Sequence, residues 1–380
     1  MKKLFYTGVI CLAVFEFANV YFIMPMPGSQ RMTSLDFAYF LHQWRWVFRG
    51  VFGVLIAAGV LPAWRSAKWW TMGALIIAGA ALYLFNFDMA ADKMFYQPRT
   101  LRTAGAQTNT VDSNKLVLGV ALDGQAKAYP IQLIGYHHQV RDTVGHTPVM
   151  VTYCTVCRSG RVFAPAVDGR PETFRLVGMD HFNAMLEDAT TGSWWRQATG
   201  EAVAGPLKGK NLPELPATQT TLRQWLTLYP NSLVMQPDSV FTEEYDHLKT
   251  YDKGLGRGKL TGTDTLSWRD KSWVVGLVVN RIAKAYDWNR LKRERVINDR
   301  VGEQPVVIAL AADTLSFFAF ERPSGEAVFA LRNDTLFSEG KAWDLLGKNV
   351  GGTAPNLRPV TAYQEFWHSW SAFHPYTTRY

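Results

Sequence analysis

The residues best equipped for chemistry are two thiols in a Cys-x-x-Cys, Cys154-Thr155-Val156-Cys157, entered through the apolar run Pro148–Tyr153 and left through Arg158-Ser159-Gly160. Three chemistries fit such a pair. A redox dithiol uses a thiolate made reactive by neighbouring positive charge, and Arg158 and His137 are the residues that supply it on sequence grounds. A metal site would hold Cu(I) or zinc between Cys154, Cys157 and the His137 imidazole. A local disulfide in an oxidising compartment would be inert. A zinc site of the common type also needs a second Cys or His pair at similar spacing, and none occurs. Cys11 lies in an apolar stretch, where a cysteine acts as a small apolar residue.

Other polar candidates cluster in Met179–Asp188. Its methionines read as core filler, while Asn183 and Asp188 read as polar groups on the wall of a site. The glycine-rich run Asp252–Lys259 lacks the Walker spacing, and neither G-x-S-x-G nor H-E-x-x-H occurs.

For the two sulfurs to act together the chain must curl between them, because alternate strand residues face opposite ways. Beta-branched residues before Cys154 and the Ser159-Gly160 pair place a strand up to about Tyr153 and a turn at its edge. Around it we expect strands at Leu116–Leu122 and Gln125–Tyr129 joined by Asp123-Gly124, a short helix over Ile131–Val140, and strands at Val149–Tyr153 and Val162–Pro165. Leu222–Leu228 reads as a short amphipathic helix.

This pattern recurs 157 residues later without a gap. Ala126-Lys127-Ala128-Tyr129 falls on Ala283-Lys284-Ala285-Tyr286, Asp142 on Asp299, and Phe163 on Phe320. Trp225 followed by Pro230 resembles Trp370 followed by Pro375. Cys154, Cys157 and His137 have Ala311, Thr314 and Glu294 at their counterparts, so the chemistry resides in one copy. The expected fold is α+β, a three-helix membrane anchor followed by a strand-rich duplicated domain. Its segments are the anchor (1–90), a linker (91–114), the first module (115–231), a connector (232–271) and the second module (272–380).

The anchor rests on three apolar stretches, Leu4–Ile23, Trp46–Leu61 and Trp69–Phe87, each near the ~20 residues that cross hydrocarbon. Lys2-Lys3 and the Arg65–Lys68 loop carry positive charge at alternate span ends, which predicts a cytoplasmic start and an extracytoplasmic soluble part. Glu16 reads equally as a functional carboxylate or a packed one. The net charge of +8 is scattered or flanks the spans, so nucleic acid is not expected as a partner. The lipid bilayer and an unidentified redox or protein partner are expected instead.

Several of these residues together carry a resemblance. Ala126–Pro130, His137 with Asp142, Pro148-Val149, Thr152-Tyr153-Cys154-x-x-Cys157, Asn183 with Asp188, Thr191-Gly192-Ser193-x-Trp195-x-Gln197 and Gly200-Glu201-Ala202 resemble the bacterial domain of unknown function 3179 family. Phe366-Trp367 to Pro375 continues the likeness, while Thr155, Arg158 and His138 depart from the family's usual form. Some family members carry selenocysteine at the Cys-x-x-Cys, so the resemblance implies redox chemistry. The resulting expectation is a thiol-redox protein of the bacterial inner membrane facing the periplasm, with Cys154 as the more exposed nucleophile and Cys157 resolving. A copper- or zinc-binding module and a partner-binding scaffold are the alternatives.

Overall fold

The computed structural model describes residues 1–380, and its fold is α+β. The chain packs as two compact units. One comprises Met1–Tyr96, Glu172–Arg196 and Glu201–Asn211, and the other Gln97–Pro171, Gln197–Gly200 and Leu212–Tyr380.

In the first unit three helices, Lys2–Tyr21, Arg45–Ser66 and Lys68–Asp88, are long and apolar enough to cross a membrane. They pack through Phe5, Val9, Leu12, Ala63 and Ala78. Lys2 Nζ donates to Ser66 Oγ at 3.1 Å, which puts both positively charged segments at one end of the bundle. The carboxylate at position 16 has no exposed surface. Arg49 donates to both its oxygens at 2.6 and 2.8 Å, and Asn86 Nδ2 adds a bond at 2.8 Å. Asn86 lies on a π-helical turn, Leu84–Asp88. The same unit holds an antiparallel meander of Phe174–Asp180, Asn183–Asp188, Trp194–Arg196 and Ala202–Ala204. Its core joins Val177, Met185 and Trp194 to Ile23 and Ala38, and Met179 N donates to Ile23 O at 2.7 Å. The meander therefore packs with the anchor helices, whereas the linear boundaries put it in the first module.

In the second unit one element order appears twice. Leu116–Leu122 and Gln125–Pro130 form a hairpin, Ile131–His137 is helical, and Gln139–Val144, Thr147–Cys154 and Ser159–Phe163 form a three-stranded sheet. Trp273–Val279, Ile282–Asp287, the helix Trp288–Glu294 and the strands Val296–Val301, Gln304–Leu310 and Phe317–Glu321 repeat this series. Each series closes with a strand, a helix and a strand that pairs in parallel: Thr218–Thr221, Leu222–Leu228 and Leu233–Met235 in one, Ala362–Phe366, Trp367–Phe373 and Thr378–Arg379 in the other.

The first helix stops at His137 and does not run to Val140. His138 takes a left-handed φ of 60°, and residues 139–144 pair as a strand. Arg295 ends the matching helix at φ 65°.

Two contacts explain why the shared sequence positions are shared. Tyr129 donates to Asp142 at 2.8 Å, and Tyr286 donates to Asp299 at 2.9 Å. Gly119 and Gly276 leave room for indole rings: an added Cβ would stand 2.2 Å from Trp225 and 2.1 Å from Trp370.

Candidate functional site

Cys154 ends its strand and pairs with Ser159, so Thr155–Arg158 form a four-residue hairpin loop. Arg158 closes the loop at φ 55°, in the left-handed region. This curl turns both sulfurs to one side, and neither cysteine has exposed surface. Both are free thiols, and Cys154 is a hydrogen-bonding neighbour of Cys157. The expectation of a more exposed Cys154 is not met.

The loop is held from outside its own module. Tyr251 Oη donates to Thr155 O at 2.9 Å, Lys271 Nζ to Val156 O at 2.6 Å, and Phe366 N to Cys157 O at 2.9 Å. Three successive carbonyls are thereby capped, as buried backbone acceptors require. Beneath the hairpin Ser159 Oγ donates to Gln197 Oε1 at 2.8 Å, and Gln197 Nε2 donates to Thr152 Oγ1 at 3.0 Å. Gln197 thus supports the cysteine-bearing strands.

The imidazole described beside the pair is that of His368, at the start of the closing helix Trp367–Phe373. Its Nε2 lies 3.9 Å from Cys157 Sγ, and its Nδ1 lies 2.9 Å from Asp270 O. A carbonyl only accepts, so Nδ1 carries the proton and Nε2 presents a lone pair to the thiol. Burial, reinforced by Lys271, pushes the His368 pKa down to about 4. The ring is therefore neutral at neutral pH, and in the resting site the proton stays on the thiol.

Burial also pushes the Cys157 thiol well above its ordinary value. Cys154 and Glu365 act in the same direction, and a hydrogen bond from Ser369 opposes them. The cation that acts on both sulfurs is Lys271, itself shifted down by burial.

Arg158, expected to supply positive charge, has a structural task. Its guanidinium lies 3.5 Å over the Trp273 ring and donates to Gln364 Oε1, Tyr251 O and Asp252 O at 2.8, 3.2 and 2.9 Å.

His137 is buried, with Nε2 2.7 Å from Tyr245 Oη and its ring against Tyr136 and Phe241. Asp188 belongs to the other compact unit and organises a turn. It accepts from Thr191 N at 2.6 Å, Ser193 N at 3.0 Å and Trp195 Nε1 at 2.9 Å. Asn183 lies on the same strand, paired with Asp180. Met185 is core, as its chemistry suggested. No group of three or more His, Cys, Asp and Glu side chains stands together to hold a metal ion.

Sequence reading missed His368, Ser369, Glu365 and Lys271. A signal was present. With Trp370 set on Trp225, His368 falls on Arg223 and Glu365 on Thr220. His368 and Glu365 thus have no like residue at the matching positions of the other series, just as the cysteines have none.

The arrangement defines an α+β domain with a buried dithiol against a neutral imidazole, carried on a chain whose N-terminal helices suit a membrane. Residues 96–377 match the family described as "Protein of unknown function (DUF3179)", and the chain belongs to that family. No curated protein and no solved structure matches.

Proposed function

We propose that this is a membrane-anchored thiol-redox protein in which Cys154 and Cys157 exchange with a disulfide. The supporting observation is the Cys157–His368 approach at 3.9 Å, with the ring's far nitrogen tied to a carbonyl. A thiol paired with an oriented base is the arrangement that activates a sulfur nucleophile.

The exchange balances as follows. Cys157 passes its proton to His368 Nε2 in the same step in which its sulfur attacks one sulfur of a protein or small-molecule disulfide, because burial disfavours both a free thiolate and a free imidazolium. A mixed disulfide forms, and the departing thiolate takes the proton from His368. Cys154 then loses its proton and attacks the Cys157 sulfur. The Cys154–Cys157 bond forms, and the second substrate thiolate leaves with that proton. Two electrons and two protons have passed to the substrate.

The recurring element order fits a duplicated domain in which one copy supplies the sulfurs and the other the base. The shared cationic end of the helix bundle fits a cytoplasmic start, with the soluble domain on the periplasmic side of a bacterial inner membrane.

The test is the reduction potential of the pair in the full chain in detergent, with Cys11→Ser so that only two thiols remain. Reversible oxidation between about −300 and −120 mV is expected, the range of exchanging protein dithiols. A pair that stays oxidised under strong reductant, or never forms a bond, would sink the reading.

A further inference from the structure

The strands Ser159–Phe163 and Phe317–Glu321 occupy matching places in the two series, and the segments beside them bond in the same way. Leu215 N donates to Val162 O at 2.8 Å, and Val360 N donates to Ala319 O at 2.9 Å. The bridges from Phe163 to Glu214 and from Phe320 to Pro359 keep the same register. Arg161 therefore corresponds to Phe318, and Glu214 to Pro359. With Trp370 set on Trp225, Tyr363 corresponds to Thr218 and Glu365 to Thr220.

In the first set the space is filled. The Arg161 guanidinium lies 3.5 Å over the Tyr363 ring, donates to Glu365 and stands 3.6 Å from Glu214. Tyr363 Oη donates to Glu214 Oε1 at 2.9 Å. In the second set Thr218, Phe318 and Pro359 all line one cavity of about 300 Å³. A threonine replaces a phenol ring there, and nothing else takes up the ring's volume. Protein interiors are ordinarily filled to the density of organic crystals, and a void of this size matches the smaller ligand pockets.

The wall of the cavity sets what would fit. Trp225 and Tyr229 form part of it, with ring centroids 4.3 Å apart, and Phe318 adds a third aromatic side chain. Aromatic walls favour a ring. The one charged side chain on the wall is Lys348, which is exposed and takes part in no ion pair. Asp344 turns its Oδ1 to Leu346 N and Lys348 N, at 2.9 and 2.8 Å, and not to that amine. We infer that the cavity binds a small aromatic carboxylate. Its ring takes the place that Tyr363 fills in the other set, and its charge meets Lys348. Neither thiol takes part, so the inference stands apart from the redox reading.

The probe is para-hydroxyphenylacetate, a tyrosine side chain ending in a carboxylate, titrated calorimetrically into the full-length protein in nanodiscs. Saturable one-to-one binding is expected. Thr218→Tyr, which rebuilds the missing ring inside the cavity, should abolish it. Lys348→Met, a change at an exposed position, should weaken the acid about two- to fivefold, as loss of a solvent-exposed ion pair does. It should leave the neutral para-hydroxyphenylacetamide unchanged. No saturable binding at millimolar probe overturns the inference. So does binding that survives Thr218→Tyr in protein that keeps the parent's circular dichroism. If Thr218→Tyr does not fold, the Lys348→Met titrations decide: acid and amide must respond differently. An acid that binds Lys348→Met as tightly as the parent, or an amide that weakens equally, overturns the assignment of an anion.

Discussion

The second unit contains one element order twice, and only one of the two matching loops carries thiols. At the cysteine joint, Phe366 N meets the carbonyl of Cys157, Tyr251 and Lys271 cap the two carbonyls before it, and Arg158 reaches out of the loop to Gln364. At the counterpart, Thr221 stands where Phe366 does, and its N donates to Ser316 Oγ at 2.9 Å. Asp313, in the place of Val156, holds its own loop. It accepts from Leu315 N at 2.9 Å, Ser316 N at 2.8 Å and Thr221 Oγ1 at 2.8 Å. That loop is closed by a carboxylate whose lone pairs are already engaged, and the sulfur positions carry Ala311 and Thr314. Beside it lies a cavity of about 300 Å³ lined in part by Ala121, Thr218, Tyr229 and Phe318. The backbone frame is shared, and the two loops differ in that only the second is closed by a carboxylate of its own.

If the frame is shared, its anchors should matter equally at both joints. Trp225→Ala and Trp370→Ala should each cost about 3–5 kcal/mol, the range for deleting a buried tryptophan, and to similar extents. Unfolding of the full chain in micelles measures this, and a large inequality would break the comparison. A contrast of similar size is expected at the buried ion pair. Arg161→Met leaves Glu365 without its guanidinium and should cost about 3–5 kcal/mol, although the nearby Glu214 remains. The counterpart Phe318→Leu should cost less than about 1.5 kcal/mol.

Acid should act next. His368 and His138 are both held down at about 4, chiefly by burial, against an ordinary value of 6.5. Between those values the unfolded chain binds protons that the folded chain refuses, so stability is present above pH 6.5 and is lost on acidification toward pH 4. Each ring contributes at most about 3 kcal/mol. His368→Asn should remove its share of the slope, and a slope that does not change would place the titration elsewhere. The smallest effect belongs to Asp313→Ala. It should cost about 1–2 kcal/mol, as loss of a capping side chain does, and leave the alkylation rate of Cys157 unchanged.

Local rules made much of the frame legible. Leu116–Leu122 and Leu222–Leu228 lie where alternation and amphipathicity put them, because those patterns are set by neighbours in sequence. The helix stop at His138 was harder to read, since a non-glycine left-handed residue leaves little trace in composition. At the site, the sulfurs were visible but the base was not. His137 shares a module with the cysteines and is nearer in sequence, while His368 reaches Cys157 across 211 positions. Nothing in local periodicity encodes such a pairing. Only the mismatched residues at corresponding positions of the two series pointed to it.

The interlocked Glu16, Arg49 and Asn86 bear on how the anchor is made. Each comes from a different helix, so a lone helix carrying Glu16 or Arg49 into hydrocarbon would bring an ion whose partner is still absent, at up to about 3 kcal/mol apiece. Biogenesis should therefore favour delivery of the three helices to the lipid together, or retention of the first at the insertion machinery until its neighbours emerge.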